Sequence, residues 1–156
     1  MILTGSDYVD RLAQITARFL RETLLAARRR FSFETVFSHE SNLDIMKQAV
    51  EAGYKVYLYF VSTESPEINK YRVALRVRKG GHSVPEDKIE RRYYRSLGLL
   101  REASEIAYQA FFFDNSIENE PYKLVGHFKK IGNEKKWDQI EESKISNWFK
   151  KYYSAV

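Results

Sequence analysis

Residues 65–101, SPEINKYRVALRVRKGGHSVPEDKIERRYYRSLGLLR, decide how the chain is organised. Ser65 followed by Pro66 and Glu67 marks a helix start: a capping hydroxyl, proline at the first position and an acid in the first turn. Gly80-Gly81 stops that helix. Pro85-Glu86-Asp87 opens a second, expected to run to about Gln109. Apolar runs flank the pair, residues 54–61 before it and 110–113 after it. Strand, helical crossover, strand is a βαβ unit, which implies a parallel sheet. From Pro66 to Arg101 there are ten Lys/Arg and four Asp/Glu, a net of +6; the whole chain is +5, so the remainder sums to −1. The positive charge is therefore local, and local charge calls for a local anionic partner. Two basic helices hinged on a glycine pair read as a lid that closes over phosphates.

Working outward from that unit, an N-terminal helix is expected over residues 7–30. Ser6 stands at its cap, Val9, Leu12, Thr16, Phe19, Leu20 and Leu24 recur at helical spacing, and Arg28-Arg29-Arg30 suit its last turn. Residues 31–37 read as a short strand. A second helix starts near Ser41, with Asp44 in a capping-box position, and stops at Gly53. Residues 54–61 are broken only by Lys55, the pattern of a strand buried on both faces. After Asp114-Asn115-Ser116 the chain changes character. Residues 123–131 and 135–141 suggest a small hairpin or meander, and Ser146 a cap for a last helix carrying Trp148, Phe149 and Tyr152. There is no internal repeat and no low-complexity linker.

Composition narrows the classes. The length of 156 residues suits one domain with a sizeable core. With no cysteine there is no disulfide framework, thiolate metal site or cysteine nucleophile, and three histidines give no visible metal cluster. No apolar run approaches the ~20 residues of a membrane span, and the first residues lack the pattern of a signal peptide. A cytoplasmic protein with no membrane partner is the expectation. A pI near 9.3 permits phosphate or nucleic-acid ligands.

Ligands of parallel sheets bind at the carboxyl ends of strands. Here those ends carry Glu34-Thr35, Ser62-Thr63 and Asp114-Asn115. Glu34-Thr35 reads either as an acceptor for a ligand hydroxyl or as an edge residue facing water. Arg72 and Arg76 lie one turn apart, as do Arg92 and Arg95 on the next helix. Guanidinium forks suit phosphate oxygens; the competing reading is a solvated face paired with Glu67, Glu86, Asp87 and Glu90. His82 suits a hydrogen-bonding role in the lid turn. Asp114-Asn115 reads as an Asx turn before a ligand contact. Tyr93-Tyr94 could stack on bases, though an amphipathic helix buries at least one ring.

Together these residues resemble the zeta-toxin-like family of P-loop kinases and predicted ATPases. The resemblance spans roughly residues 7–116. It rests on Phe33-Glu34-Thr35-Val36-Phe37-Ser38, Gly53-Tyr54, Pro66-Glu67-Ile68-Asn69, Arg72-Val73, Arg76-Val77, Gly80-Gly81-His82-Ser83-Val84-Pro85, Ile89, Arg92-Tyr93, Arg95-Ser96-Leu97 and Phe113-Asp114-Asn115-Ser116. It implies an α/β fold, a P-loop kinase-like parallel sheet flanked by helices. It also implies phosphorylation of a small hydroxylated substrate such as a UDP-N-acetylsugar, with ATP and Mg²⁺, in a bacterial toxin–antitoxin setting. Glu34, Thr35 and His82 would then serve the substrate. Arg72, Arg76, Arg92 and Arg95 would meet the phosphates and the transferred group.

One part of the family pattern is missing. No glycine of this chain opens a G-x-x-x-x-G-K-[ST] loop, which holds phosphates through backbone N–H groups and a lysine. The expected architecture is thus a single domain over residues 1–156. Residues 1–116 form a kinase core lacking the first strand and P-loop, with a helical lid over 65–101, and residues 117–156 a small C-terminal β/α extension. Activity should be impaired, and the missing central strand should be compensated by self-association or by a partner such as an antitoxin. The alternative is a non-enzymatic basic module for nucleic acid or nucleotide, or a protein-interaction remnant. Charges confined to a lid and interrupted by acids argue against nucleic acid.

Overall fold

The computed structural model describes residues 5–154. The chain divides into two compact units, one ending at Thr35 and one beginning at Val36, where a single domain was expected.

The first unit is built on α1 (Gly5–Ala26). The expected Ser6 cap lies outside the described side chains. The helix stops four residues earlier than its basic tail suggested. Arg28 adopts φ 52°, its N–H bonds the Leu25 carbonyl at 3.1 Å, and the Arg29 N–H bonds the Leu24 carbonyl at 3.0 Å. That is a Schellman ending with an arginine in the left-handed position, so Arg28-Arg29-Arg30 lie past the last turn. Residues 31–37 form no strand. A strand requires a ladder, and the sheet order has no place for this segment. Phe37, at φ 56°, also leaves the extended region. Glu34 and Thr35 therefore sit in an irregular, exposed segment and not at a strand end.

The second unit holds a four-stranded sheet in the order β1-β2-β3-β4: β1 (Tyr57–Ser62), β2 (Gln109–Asp114), β3 (Lys123–Ile131) and β4 (Glu134–Trp137). β1 and β2 are parallel, joined through α3 (Pro66–Arg78) and α4 (Glu86–Ile106) as the βαβ reading requires. β3 and β4 add antiparallel, so the sheet is mixed and not wholly parallel. The hairpin is therefore part of the central sheet and not an appendage to it.

α2 (Ser41–Glu51) starts where expected, without the capping box. The His39 ring takes its place: Nδ1 accepts the Ser41 N–H at 3.1 Å and lies 2.9 Å from the Ser41 hydroxyl.

Among the described residues the core fills one face of the sheet only. Leu58, Phe60, Ala110, Phe112, Val125 and Phe128 meet Leu43 and Met46 of α2, and Tyr93, Leu97, Leu100 and Ala103 of α4. A short C-terminal helix, α5 (Asn147–Phe149), adds Trp148 and Phe149 to the same cluster. On the opposite face Tyr57, Tyr59 and Val61 are exposed. β1 is thus not the doubly buried strand its composition suggested. Its apolar run supplies both a core-facing and a solvent-facing set, because burial on two faces needs a layer of helices on each.

Candidate functional site

The carboxyl ends of β1 and β2 lie side by side, and the chain leaves them through Ser62-Thr63-Glu64 and Asp114-Asn115-Ser116. Most of the polar groups there hold the fold together. Asp114 is buried; it accepts the Trp148 indole N–H at 2.7 Å and the Ser116 N–H at 2.9 Å. The second of these makes the Asx turn expected at this position. The Glu64 carboxylate accepts the N–H groups of Asn147 at 2.8 Å and Trp148 at 3.2 Å. It thereby caps α5 in place of Ser146, which makes no side-chain cap. The Glu64 N–H in turn donates to the Ser116 hydroxyl at 2.8 Å. The C-terminal segment therefore seals a good part of the crevice the strand ends would offer.

Tyr93 is buried beside it and donates to the Thr63 carbonyl at 2.8 Å. Burial pushes its phenol well above the usual range, with the nearby Tyr152 and Glu64 acting in the same direction. Its neighbour Tyr94 is exposed, so the pair divides between core and surface.

Among the described residues, two shallow clefts lie beside these groups. One, of about 170 Å³, lies among Glu64, Pro66, Tyr94, Asn147, Lys151 and Tyr152. The other, of about 330 Å³, is lined by Glu67, Ile68, Tyr71, Arg72, Ser116 and Glu118. Glu67 borders both. Its carboxylate is held below the ordinary range, first by a hydrogen bond from Ser65 and then by its own backbone N–H. Arg72 is thus a lid arginine that shares a cleft with Ser116, two residues past the end of β2.

The lid turn is built as the glycine pair implied. Gly80 adopts φ 86°, its N–H bonds the Val77 carbonyl at 2.9 Å, and the Gly81 N–H bonds the Arg76 carbonyl at 3.0 Å. A Cβ on Gly81 would lie 2.6 Å from Arg76 Cγ, so the arginine stem packs where a side chain would stand. The Arg76 guanidinium donates to the His82 carbonyl at 3.5 Å. It is the His82 backbone that joins the turn, while the residue itself is exposed.

Three of the four lid acids are taken by other cations. Lys70 pairs with Glu90 at 2.6 Å and with Glu67 at 3.9 Å, and Arg91 pairs with Asp87 at 2.8 Å. Among the described residues, no salt bridge joins Arg72, Arg76, Arg92 or Arg95 to a carboxylate. The solvated, acid-paired face therefore forms around Lys70 and Arg91 instead.

The Lys70–Glu90 pair marks one side of α3 that meets α4. At 100° per residue, Arg72 and Arg76 lie about 200° and 240° around α3 from Lys70. Arg92 and Arg95 lie about 200° and 140° around α4 from Glu90. Each pair shares a face of its helix, but the two pairs point away from the Lys70–Glu90 contact and are not brought together. Glu34 and Thr35 belong to the other unit.

The sequence pattern gave no sign of Glu64 or His39, and marked Trp148 only as an aromatic of the last helix. Their signals are weak, because a lone acid after a strand and a tryptophan near a terminus acquire roles only from partners distant in sequence.

Among the described residues no group of three His, Asp or Glu could hold a metal ion, and no helix is long and apolar enough to cross a membrane. No family model matches the chain, and no solved structure matches it. An uncharacterized protein of Haemophilus influenzae is similar over 63 residues at 38% identity, which covers 40% of this chain and 45% of that protein. The shared stretch thus spans less than half of either chain.

Proposed function

We propose that this chain is the acceptor-and-lid part of a zeta-toxin-like phosphotransferase and binds a small phosphate-bearing, hydroxylated ligand such as a UDP-N-acetylsugar. The observation that supports it is that Arg72, Arg76, Arg92 and Arg95 are among the lid arginines that form no salt bridge with a carboxylate among the described residues. A cation that the fold does not neutralise is available to an anion, and a guanidinium fork matches phosphate oxygens two at a time. Arg72, in the cleft with Ser116, would take the first phosphate; Arg76 shares its face. Arg92 and Arg95 would join only after a movement of α3 about the Gly80 turn, since α4 is held in the core; this is the kind of step lids make.

The ATP and Mg²⁺ of the intact family do not fit the residues present. There is no P-loop sequence and no described acid cluster for a metal ion. These residues alone supply no phosphoryl-transfer step, and turnover is expected to be poor or nil. A bacterial cytoplasmic setting and an antitoxin-like partner belong to the same proposal.

Isothermal titration tests it. UDP-N-acetylglucosamine should bind, ATP·Mg²⁺ should not, and Arg72→Ala should weaken the sugar nucleotide about tenfold or more, the worth of a charge-assisted contact. Tight ATP binding would overturn the reading. So would binding that follows polymer charge, with a steep loss of RNA or DNA affinity as salt rises, which marks the basic-module alternative.

A further inference from the structure

The two edges of the sheet are protected very differently. β4 offers Glu134, Lys135 and Lys136 along its short length, the charged guard that keeps an edge from pairing. β1 has no such guard. From Val56 to Ser62 it carries no charge and no proline, and the one register shift in the sheet lies between Phe112 and Phe113, away from β1.

The ladder tells which backbone groups this edge presents. The Val56 carbonyl accepts from Tyr108 and the Ser62 carbonyl from Asn115, so the even-numbered residues of β1 bond β2. In a strand the N–H and C=O of successive residues alternate sides. Tyr57, Tyr59 and Val61 therefore turn both groups outward. Their side chains are 51%, 63% and 45% exposed on the uncovered face. Behind them runs a row of stacked rings: Tyr59 on Phe111 at 4.8 Å and 8°, then Phe111 on His127 at 4.2 Å and 22°.

We propose that β1 is a homodimer interface, in which β1 of a second copy pairs with it antiparallel about a two-fold axis at Tyr59. The pattern is self-complementary about that residue. Tyr59 would face its own copy, and Tyr57 would face Val61 of the partner, an aromatic opposite a β-branched side chain. All three are outward-bonding positions, so each pair exchanges both N–H···O=C bonds. The ring row continues across the axis from His127 and Phe111 through Tyr59 into the same three rings of the second copy. An isologous contact of this kind closes at two and leaves the charged β4 edges outside. The proposal is independent of the ligand reading.

The chain has no cysteine, so any introduced thiol is unique. Light scattering on the 156-residue protein should give a dimer. Tyr59→Lys and, separately, Val61→Lys should each raise its dissociation constant at least about tenfold, as expected of a charge on an edge strand. Far-UV circular dichroism of both should stay native, because these side chains are exposed. A short bismaleimide should cross-link Tyr59→Cys, and an equal mixture of Tyr57→Cys with Val61→Cys, but not Ile131→Cys on β3. Tyr57→Cys alone should react poorly, since its two copies would stand four residues apart, about 13 Å. A monomer at all concentrations overturns the proposal. So does a folded dimer indifferent to both lysines, or cross-linking that ignores this register.

Discussion

The two faces of the sheet are built from the same residue types and have opposite fates. Phe112 points into the core against Phe128, Phe149 and Tyr153 and is fully buried. Phe111 and Phe113, its immediate neighbours, point the other way and pack on rings of the open face: Tyr59, His127, Tyr122 and each other. What differs is the layer above. α2, α4 and α5 cover one side, while no described helix of this unit adds its residues to a core on the other. Aromatic content therefore measures how much a strand could bury, and the partner layer decides which half it does bury.

That contrast can be broken by mutation. Phe112→Ala should cost about 3–5 kcal/mol of unfolding free energy in a urea titration, the usual range for removing a large core ring. Phe111→Ala should cost about 0.5–1.5 kcal/mol, the worth of its stacking partners. Equal losses would mean that the second face is covered in solution.

The covered side can also be probed by overfilling. Gly126 sits opposite Phe112, and a Cβ there would come within 2.6 Å of Phe149 Cζ and 3.1 Å of Phe112 Cδ2. Gly126→Ala should destabilise by about 1–3 kcal/mol, as over-packing of a tight core does. A neutral result would show that α5 can retreat from the sheet.

The smallest effect sharpens the picture at the strand ends. Tyr93→Phe removes the hydrogen bond to the Thr63 carbonyl and should cost about 1 kcal/mol at neutral pH. The folded phenol ionises above its unfolded value, so its contribution is full below about pH 10 and declines as pH rises toward the folded value. The wild type should therefore lose stability above about pH 10 more steeply than Tyr93→Phe. Parallel pH profiles in thermal melts would place Tyr93 in contact with water.

Residues 65–101 were legible because their signals are local. Ser65-Pro66 and Gly80-Gly81 act within one turn of the backbone, and the charge excess is a count. The lid helices, their hinge and the parallel pair they connect follow from those residues. The sites were less legible. That Arg72 and Arg76 share a face follows from helical spacing. That Arg92 and Arg95 point elsewhere depends on how α3 and α4 pack, which the Lys70–Glu90 contact marks. Glu34-Thr35 misled for a related reason: its residue types favour a strand, but a strand exists only where another strand accepts its hydrogen bonds.

The sequence by itself determined the α/β character, the βαβ unit with its two-helix crossover, the hairpin after Ser116 and the excess of basic side chains on the lid. Each rests on interactions between residues a few positions apart. Tertiary structure alone decided that the hairpin completes the central sheet, that Glu64 and Asp114 receive the C-terminal helix, and that one face of aromatic side chains is core while the other is surface. Those outcomes depend on contacts across about 30 to 80 residues, such as Asp114 with Trp148 and Glu64 with Asn147, and no local pattern encodes which distant group will arrive.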